Sequence, residues 1–251
     1  MLTKIHHVGI VVRSLTEAYR FWRDALGLHV HKEATVPDQG VKAALLPCGE
    51  TEIELLEPID ASGGVAKFLA KRGEGLHHLC FETDDVAGEL AAAKQKGLPL
   101  IDEAPRPGLA GMIGFLHPKG CCGVLVEYAR PPAPTVDGGG GIAFDHLAIV
   151  VDDAGEAAAT FGRNFSLRLS GDPAAGAPVR LPIGQAAILV YASAAAPGAL
   201  ATTRGLAGIG LRMAPGDARR ERLQARATPG AGGSAYATSS HGVPLDVRDA
   251  S

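Results

Sequence analysis

Three absences narrow the class of protein that this sequence encodes. The formal net charge is only −3 at pH 7, and no basic tract is present, which excludes a general electrostatic attraction to nucleic acid or to an anionic membrane. No apolar run approaches the roughly 18 residues that a membrane-spanning helix needs. No charged and apolar leader precedes the first predicted strand. We therefore expect a cytoplasmic protein with no nucleic-acid and no membrane partner.

Cysteine is also scarce, with four residues in 251 and none in the CxxC spacing of a structural zinc site. Cys121 and Cys122 are neighbours between Gly120 and Gly123, which indicates a tight turn and not a redox pair. The thiols are therefore expected to be reduced. Hydrophobic residues make up 46% and charged residues 20%, as is usual for a globular protein, and the length allows one large domain or two small ones.

What the sequence does contain is one pattern written twice, a His at the head of a strand followed by a Glu inside a later strand. The first copy runs from HHVGIVV (His6 to Val12) to IELLEP (Ile53 to Pro58), and the second from HHLCFET (His77 to Thr83) to VLVEYARP (Val124 to Pro131). A repeated unit that packs against its copy about a pseudo-two-fold axis brings His7, Glu54, His78 and Glu127 together.

Each of these residues alone is more often structural, because a strand histidine is commonly half-buried and a strand glutamate commonly faces solvent. Glu54 and Glu127, however, stand inside apolar runs, where a carboxylate costs several kcal/mol unless a partner or a metal compensates. Two imidazoles and two carboxylates make a site for one divalent ion (Co, Mn, Ni, Zn or Fe). About two positions of an octahedron then stay free for substrate oxygens.

Hydrophobic periodicity predicts a βαβββ unit around each half of this pattern. The first has strands at Ile5 to Val12, Leu28 to Ala34, Val41 to Leu46 and Glu52 to Leu56, and a helix from Leu15 to Leu26 capped by Ser14 with Glu17. The second has strands at His77 to Thr83, near Leu100, at Met112 to His117 and at Val124 to Tyr128, and a helix from Val86 to Lys96. A short helix, Val65 to Lys71, connects them, and the Pro- and Gly-rich loop Glu103 to Gly111 is suited to cover a ligand.

A Pro- and Gly-rich stretch, residues 131–142, predicts a linker between two domains. After it the first motif returns as FDHLAIVVDD, and a third and a fourth βαβββ unit follow. The predicted fold is thus α+β, with four modules in two domains, 1–130 and 143–251. In the second domain Leu189 stands in the place of Glu54 and Gly208 in the place of His78, which leaves only His146 and Asp246. Two ligands rarely hold a divalent ion, so one metal is predicted, in the first domain.

The motifs HHVGIVV, DQGVKAALL, ETEIELLEP, GEGLHHLCFETDDV and HPKGCCGVLVE resemble methylmalonyl-CoA epimerases, of the vicinal-oxygen-chelate (glyoxalase/bleomycin resistance/extradiol dioxygenase) superfamily. The resemblance covers about the first 130 residues. It implies an isomerase that epimerises a 2-substituted malonyl-CoA by 1,1-proton transfer through a metal-stabilised enolate, with His7, Glu54, His78 and Glu127 at the ligand positions. It also implies that Glu127 takes part in proton transfer. Lys119 matches a lysine of the family motif and either meets a phosphate of the substrate or is a solvated turn residue.

One departure from the family concerns the second acid/base. Some members have a Glu two residues after the valine of the QGV motif, and here that place is Ala43. Three readings therefore stay open: the acyl-CoA epimerase; another metal-dependent enzyme, either a glyoxalase-type lyase or isomerase or an extradiol-type dioxygenase; and a metal-free protein that binds a small molecule. The chain is expected to be a monomer, as an internal pseudo-dimer, or a homodimer.

Overall fold

The computed structural model of the chain describes residues 1–133, 141–170, 176–224, 228–229, 235–238 and 241–249. Its strands form two sheets, one from residues 5–130 and one from residues 142–249. The first sheet contains β1 (Ile5–Val11), β2 (Lys32–Val36), β3 (Val41–Cys48), β4 (Thr51–Pro58), β5 (Gly75–Glu82), β6 (Arg106–Gly108), β7 (Gly111–Leu116) and β8 (Leu125–Arg130). The second contains β9 (Ile142–Val151), β10 (Val179–Ile183), β11 (Ala186–Ala192), β12 (Gly205–Met213), β13 (Thr228–Pro229), β14 (Ala235–Thr238) and β15 (Pro244–Asp249).

The strand order shows the module repeat directly. The first sheet runs β2-β3-β4-β1-β5-β8-β7-β6, and the second runs β10-β11-β9-β12-β15-β14-β13. In the first sheet β1 is parallel to β4 and β5 is parallel to β8, while β1 and β5 meet antiparallel at the centre. In the second sheet β9 with β11 and β12 with β15 repeat these pairings, and β9 and β12 meet antiparallel. The predicted α+β fold is thereby confirmed.

Five α-helices accompany the described strands. They are α1 (Leu15–Tyr19), α2 (Gly64–Arg72), α3 (Val86–Gln95), α4 (Ala154–Phe165) and α5 (Ala218–Gln224). Asp85 caps α3, since its side chain accepts a hydrogen bond from the Gly88 amide. None of the described helices combines the length and the apolar character needed to cross a bilayer.

The first helix and the strand near Leu100 differ from their predictions. The helix that begins at Leu15 changes after Tyr19 into a π-helical segment, Arg20–Ala25, and Ser14 makes no side-chain cap, so the predicted capping box is wrong. Leu100 forms only an isolated bridge to Leu116, because the loop reaches its strand later, at β6. Most of the predicted linker, residues 134–140, lies outside the described residues.

One main hydrophobic core joins the two sheets. It takes the residues on one face of β1, β4, β5 and β8 and the corresponding residues of β9, β11, β12 and β15. Phe165 of α4 reaches across to the first sheet, where its ring centroid lies 5.1 Å from that of Phe81 and 6.4 Å from that of Tyr128. Because one face of the first sheet is used for this core, its opposite face is the one left for chemistry.

Candidate active site

Two β-bulges orient the histidines at the centre of the first sheet. The register of β1 and β5 passes over His6 on one strand and His77 on the other, and each marks a bulge, where two residues oppose one. Ile5 and Val8 consequently both lie in the main core, although they are three positions apart and a regular strand would place them on opposite faces. The bulge turns His7 to the opposite side of the sheet, which we call the site face.

The four predicted ligand residues lie together on the site face. Glu54 in β4 and Glu127 in β8 alternate with core residues, so both carboxylates point away from the main core. The exposed fraction is 1% for His7, 6% for Glu54, 2% for His78 and 3% for Glu127. The repeat in the sequence therefore corresponds to one buried cluster of two imidazoles and two carboxylates.

The donor atoms of this cluster have the spacing of metal ligands. The Nε2 atoms of His7 and His78 are 2.9 Å apart. Glu54 Oε2 lies 3.4 Å from His7 Nε2 and 3.2 Å from His78 Nε2, and Glu127 Oε2 lies 3.1 Å from both. Imidazole and carboxylate ligands bind divalent ions at about 2.0–2.2 Å, so two ligands at right angles are about 3 Å apart. The donor set and its spacing both fit a divalent ion.

The imidazoles and carboxylates of the cluster shift one another's pKa values. Burial lowers the pKa of His78, but the hydrogen bonds and charges of Glu127 and Glu54 outweigh it and raise the pKa to about 9. Burial raises the pKa of Glu127, but the charges and hydrogen bonds of His7 and His78 hold it well below its usual range. Glu127 is thus kept ionised in an apolar setting, as a metal ligand or a proton acceptor needs to be.

Two buried groups beside the cluster were not assigned from the sequence. Cys80 lies opposite His7 in the register, and burial, with the charges of Glu127 and Glu54, raises the pKa of its thiol well above the ordinary value. Glu52 precedes Glu54 by two residues and shares its face. The period of two within β4 was the sequence signal that would have placed Glu52 beside the site.

A cavity of about 150 Å³ adjoins this side of the cluster and is lined in part by His6, His31, Lys32 and Glu52. Leu109 and Ala110, which belong to the loop predicted to lie over a ligand, also line this cavity. Lys32 Nζ donates a hydrogen bond to the Leu109 carbonyl oxygen, at 2.6 Å, and so fixes this loop to the first sheet.

Lys119 is exposed in the turn Pro118–Gly120, and none of the contacts within the cluster involves it. The Nδ1 atom of His117 accepts a hydrogen bond from the Lys119 amide, which gives His117 a structural role in this turn. The interaction of Lys119 with a substrate phosphate therefore stays a prediction.

The second sheet places different residues at the corresponding positions. Leu189 pairs with Ala148 as Glu54 pairs with Gly9, and Asp246 pairs with Gly210 as Glu127 pairs with Cys80. Asp246 Oδ2 is 3.9 Å from His146 Nε2 but only 2.8 Å from the Nε atom of Arg248, so a guanidinium already neutralises this carboxylate.

Apolar side chains fill the same face of the second sheet. Ala148, Leu189 and Tyr191 pack there with Leu200, which comes from the segment after β11 and is fully buried. Among the described residues, the ligand-like groups that this sheet brings together are thus one histidine and carboxylates that pair with arginines. This arrangement is unlike the cluster of the first sheet.

Two sheets built from βαβββ modules, one of them carrying a buried His and Glu cluster, define the vicinal-oxygen-chelate class of fold. A family model described as the Glyoxalase/Bleomycin resistance protein/Dioxygenase superfamily matches residues 6–115. The ethylmalonyl-CoA/methylmalonyl-CoA epimerase of Cereibacter sphaeroides is 35% identical over 130 residues, which are 51% of this chain and 97% of that protein. The mitochondrial methylmalonyl-CoA epimerase of Homo sapiens is 36% identical over 128 residues, which are 50% of this chain and 73% of that protein.

A solved structure of a methylmalonyl-CoA epimerase in complex with methylmalonyl-CoA and an ammonium ion is also similar. Its TM-score is 0.52 and its identity 38%, and the match covers 53% of this chain and 98% of that chain. This chain belongs to the Glyoxalase/Bleomycin resistance protein/Dioxygenase superfamily. The expected enzyme class, an epimerase-type isomerase, is confirmed by these relatives, which match about half of the chain.

Proposed function

We propose that His7, Glu54, His78 and Glu127 hold one divalent ion (Co, Mn, Ni, Zn or Fe) and that the chain epimerises a 2-substituted malonyl-CoA such as methylmalonyl-CoA. The observation that carries the proposal is the spacing of 2.9–3.4 Å between the two Nε2 atoms and the two carboxylate oxygens. The donors are nitrogen and oxygen atoms, which suit these ions. The named relatives supply the substrate class.

A bound divalent ion supplies Lewis acidity, which makes the proton next to a thioester carbonyl easier to remove. Within the chain, Glu127 moves this proton. Its Oε2 atom faces the two imidazoles, so we assign the proton to Oε1. Burial of Glu127 excludes water from the carboxylate and favours a direct transfer. Lys119 is assigned a contact with a phosphate of the substrate.

The structure gives one specific reason to keep a second candidate function, a glyoxalase-type proton shift. Ala43 is fully buried in an apolar cluster with Val11, Leu56 and Leu109, so no carboxylate stands at the family's second acid/base position. Epimerisation returns the proton to the opposite face of one carbon, which two groups accomplish more readily than one. A glyoxalase-type 1,2-proton shift, which moves a proton between neighbouring carbons on one face of a hemithioacetal, needs only Glu127.

Deuterium uptake tests the proposed function directly. The protein, reconstituted with cobalt or manganese, is incubated in D₂O with methylmalonyl-CoA or ethylmalonyl-CoA, and the mass of the acyl-CoA is followed. We expect uptake at the α-carbon with the wild type and with His29→Ala, an exposed control histidine, and its loss with His78→Ala. If the metal-loaded wild type shows no uptake but converts a hemithioacetal of glutathione, the glyoxalase-type reaction replaces the epimerase.

A further inference from the structure

All four modules contain a β-bulge at the same place, and each bulge creates a doublet of residues. The passed-over residues are His6 and His77 in the first sheet and Asp145 and Ala207 in the second. The residue that follows each of them is His7, His78, His146 or Gly208. The four doublets therefore allow a comparison within one chain between modules that keep the histidine and one that has lost it.

In every doublet that ends in histidine, the first residue places a nitrogen or oxygen atom within hydrogen-bond distance of Nδ1 of the second. His6 Nδ1 is 2.8 Å from His7 Nδ1, and His77 Nδ1 is 3.1 Å from His78 Nδ1. Asp145 Oδ2 is 2.8 Å from His146 Nδ1.

The fourth doublet, Ala207 and Gly208, has neither an imidazole nor a polar first residue. A polar first residue thus occurs only where the second residue has an Nδ1 atom to bind. This coincidence within one chain points to a role for the first residue that depends on the second.

Two Nδ1 atoms at hydrogen-bond distance share one hydrogen atom, and the surroundings decide which of them carries it. Nε2 of His7 faces the cluster of His78, Glu54 and Glu127, so its lone pair is the one that a metal ion needs. With an ion on this lone pair, the hydrogen of His7 would lie on Nδ1 and be donated to His6. In the third doublet the direction is fixed, because the carboxylate of Asp145 can only accept a hydrogen bond and Nδ1 of His146 must donate it.

Further contacts make His6 suited to this acceptor role. With Nδ1 accepting, its own hydrogen lies on Nε2, and this atom is 3.8 Å from Glu52 Oε2. Glu52 Oε1 is in turn 2.8 Å from Nδ1 of His31. His77 is held differently, with its ring edge against Phe68 at a centroid distance of 5.0 Å.

We propose that His6 and His77 are positioning residues that hold His7 and His78 in the Nδ1–H tautomer and direct their Nε2 atoms into the cluster. This proposal rests on the proposed metal site, because without an ion the carboxylates of Glu54 and Glu127 favour a hydrogen on the Nε2 atoms that face them. Such partners of ligand histidines typically change metal affinity by about 10–100-fold when they are removed.

The test compares His6→Leu, which removes the acceptor, with His6→Asn, which keeps an acceptor oxygen near the same place. Cobalt affinity is measured by competition with a chelator. The hydrogen on Nδ1 of His7 is followed by ¹⁵N NMR in protein loaded with zinc, which is diamagnetic, through the rate at which this hydrogen exchanges with solvent. We expect affinity to fall about 10–100-fold in His6→Leu, with faster exchange of the His7 Nδ1 hydrogen, and about threefold or less in His6→Asn. His77→Leu should act in the same way on His78.

Cobalt affinity and exchange of the His7 Nδ1 hydrogen equal to those of the wild type in His6→Leu overturn the proposal. If His6→Leu does not fold, the comparison of His77→Leu with His77→Asn tests the positioning role at the second doublet. If the wild type binds neither cobalt nor manganese, the proposed metal site fails and the positioning role fails with it, whereas equal affinity in wild type and folded variants overturns the positioning role alone. The two proposals therefore fail by different readouts.

Discussion

Gly9 lies opposite His78 in the pair of β1 and β5, and a Cβ atom at position 9 would be 2.2 Å from Cε1 of the His78 ring. Cβ atoms do not approach other atoms so closely, so a side chain at position 9 and this orientation of His78 exclude each other. Glycine is therefore required at position 9 because it leaves room for the His78 ring, and not because the backbone turns there.

The first prediction follows from this contact. Gly9→Ala should displace the His78 ring and weaken cobalt affinity at least about tenfold, while the fold persists, because one ligand is moved and the strand backbone needs no unusual dihedral angles. Metal analysis and circular dichroism check it. The second sheet offers a matched control: in Gly210→Ala the new Cβ would lie 2.1 Å from the His146 ring, and metal affinity should not change. Equal loss in both variants would contradict the assignment of the metal to the first sheet.

The cluster could be predicted from the sequence because the His and Glu pattern occurs twice. His7 with Glu54 and His78 with Glu127 occur at nearly equal intervals, and an equal interval in two copies of one module specifies a common place in space. The loss of ligands in the second half was equally predictable, since Leu189 and Gly208 have no donor atoms in their side chains. Patterns of this kind need only the identity of the residues and the symmetry of the fold.

The bulges were not predictable from periodicity. A regular strand would place His6 and His7 on opposite faces, and only the unequal register of β1 and β5 puts both beside the cluster. Long-range contacts such as that of Glu52 with His31, or of Lys32 with the Leu109 carbonyl, depend on side-chain direction and on the course of a loop. Local sequence does not specify either.

The second prediction separates the two halves of the chain. Purified protein should bind one divalent ion per chain, His7→Ala should abolish binding and turnover, and His146→Ala should leave both nearly unchanged. His146 faces Asp145 and Asp246, which arginines already neutralise, whereas His7 faces Glu54, Glu127 and His78. Metal analysis with circular dichroism tests this. Two ions per chain, or equal losses in two folded variants, would show that the second sheet contributes to the site.

The third prediction concerns the pH dependence of stability in metal-free protein. The pKa of His78 is raised from 6.5 to about 9 in the folded state, so its stabilising contribution is complete below pH 6.5 and is lost as the pH rises through 9. This shift of pKa corresponds to about 3 kcal/mol of unfolding free energy. Urea unfolding in the presence of a chelator, between about pH 6 and 9.5, measures the loss.

The control for the pH dependence is His78→Gln, which has no titrating group at this position and should lack the decline between about pH 6.5 and 9. His6 and His77 do not interfere in this range: burial lowers their pKa to about 3, so they reduce stability only as the pH falls below 6.5. A wild-type protein whose stability is constant from pH 6 to 9 would show that His78 is not paired with Glu127 and Glu54 in solution.

The last prediction concerns the domain division at 1–130, 131–142 and 143–251, in which the second half is structural. A chain that ends after Ala133 loses Phe165 and therefore uncovers Phe81 and Tyr128, which are buried in the complete chain. Exposed apolar surface of this kind promotes association, so the shortened chain should dimerise through that face or aggregate. Size-exclusion chromatography with light scattering gives the mass. In a matched control, the complete chain carries a protease site within residues 134–140, and the two halves should stay together after cleavage. A shortened chain that is monomeric and as stable as the complete one would show that the second half does not cover the first.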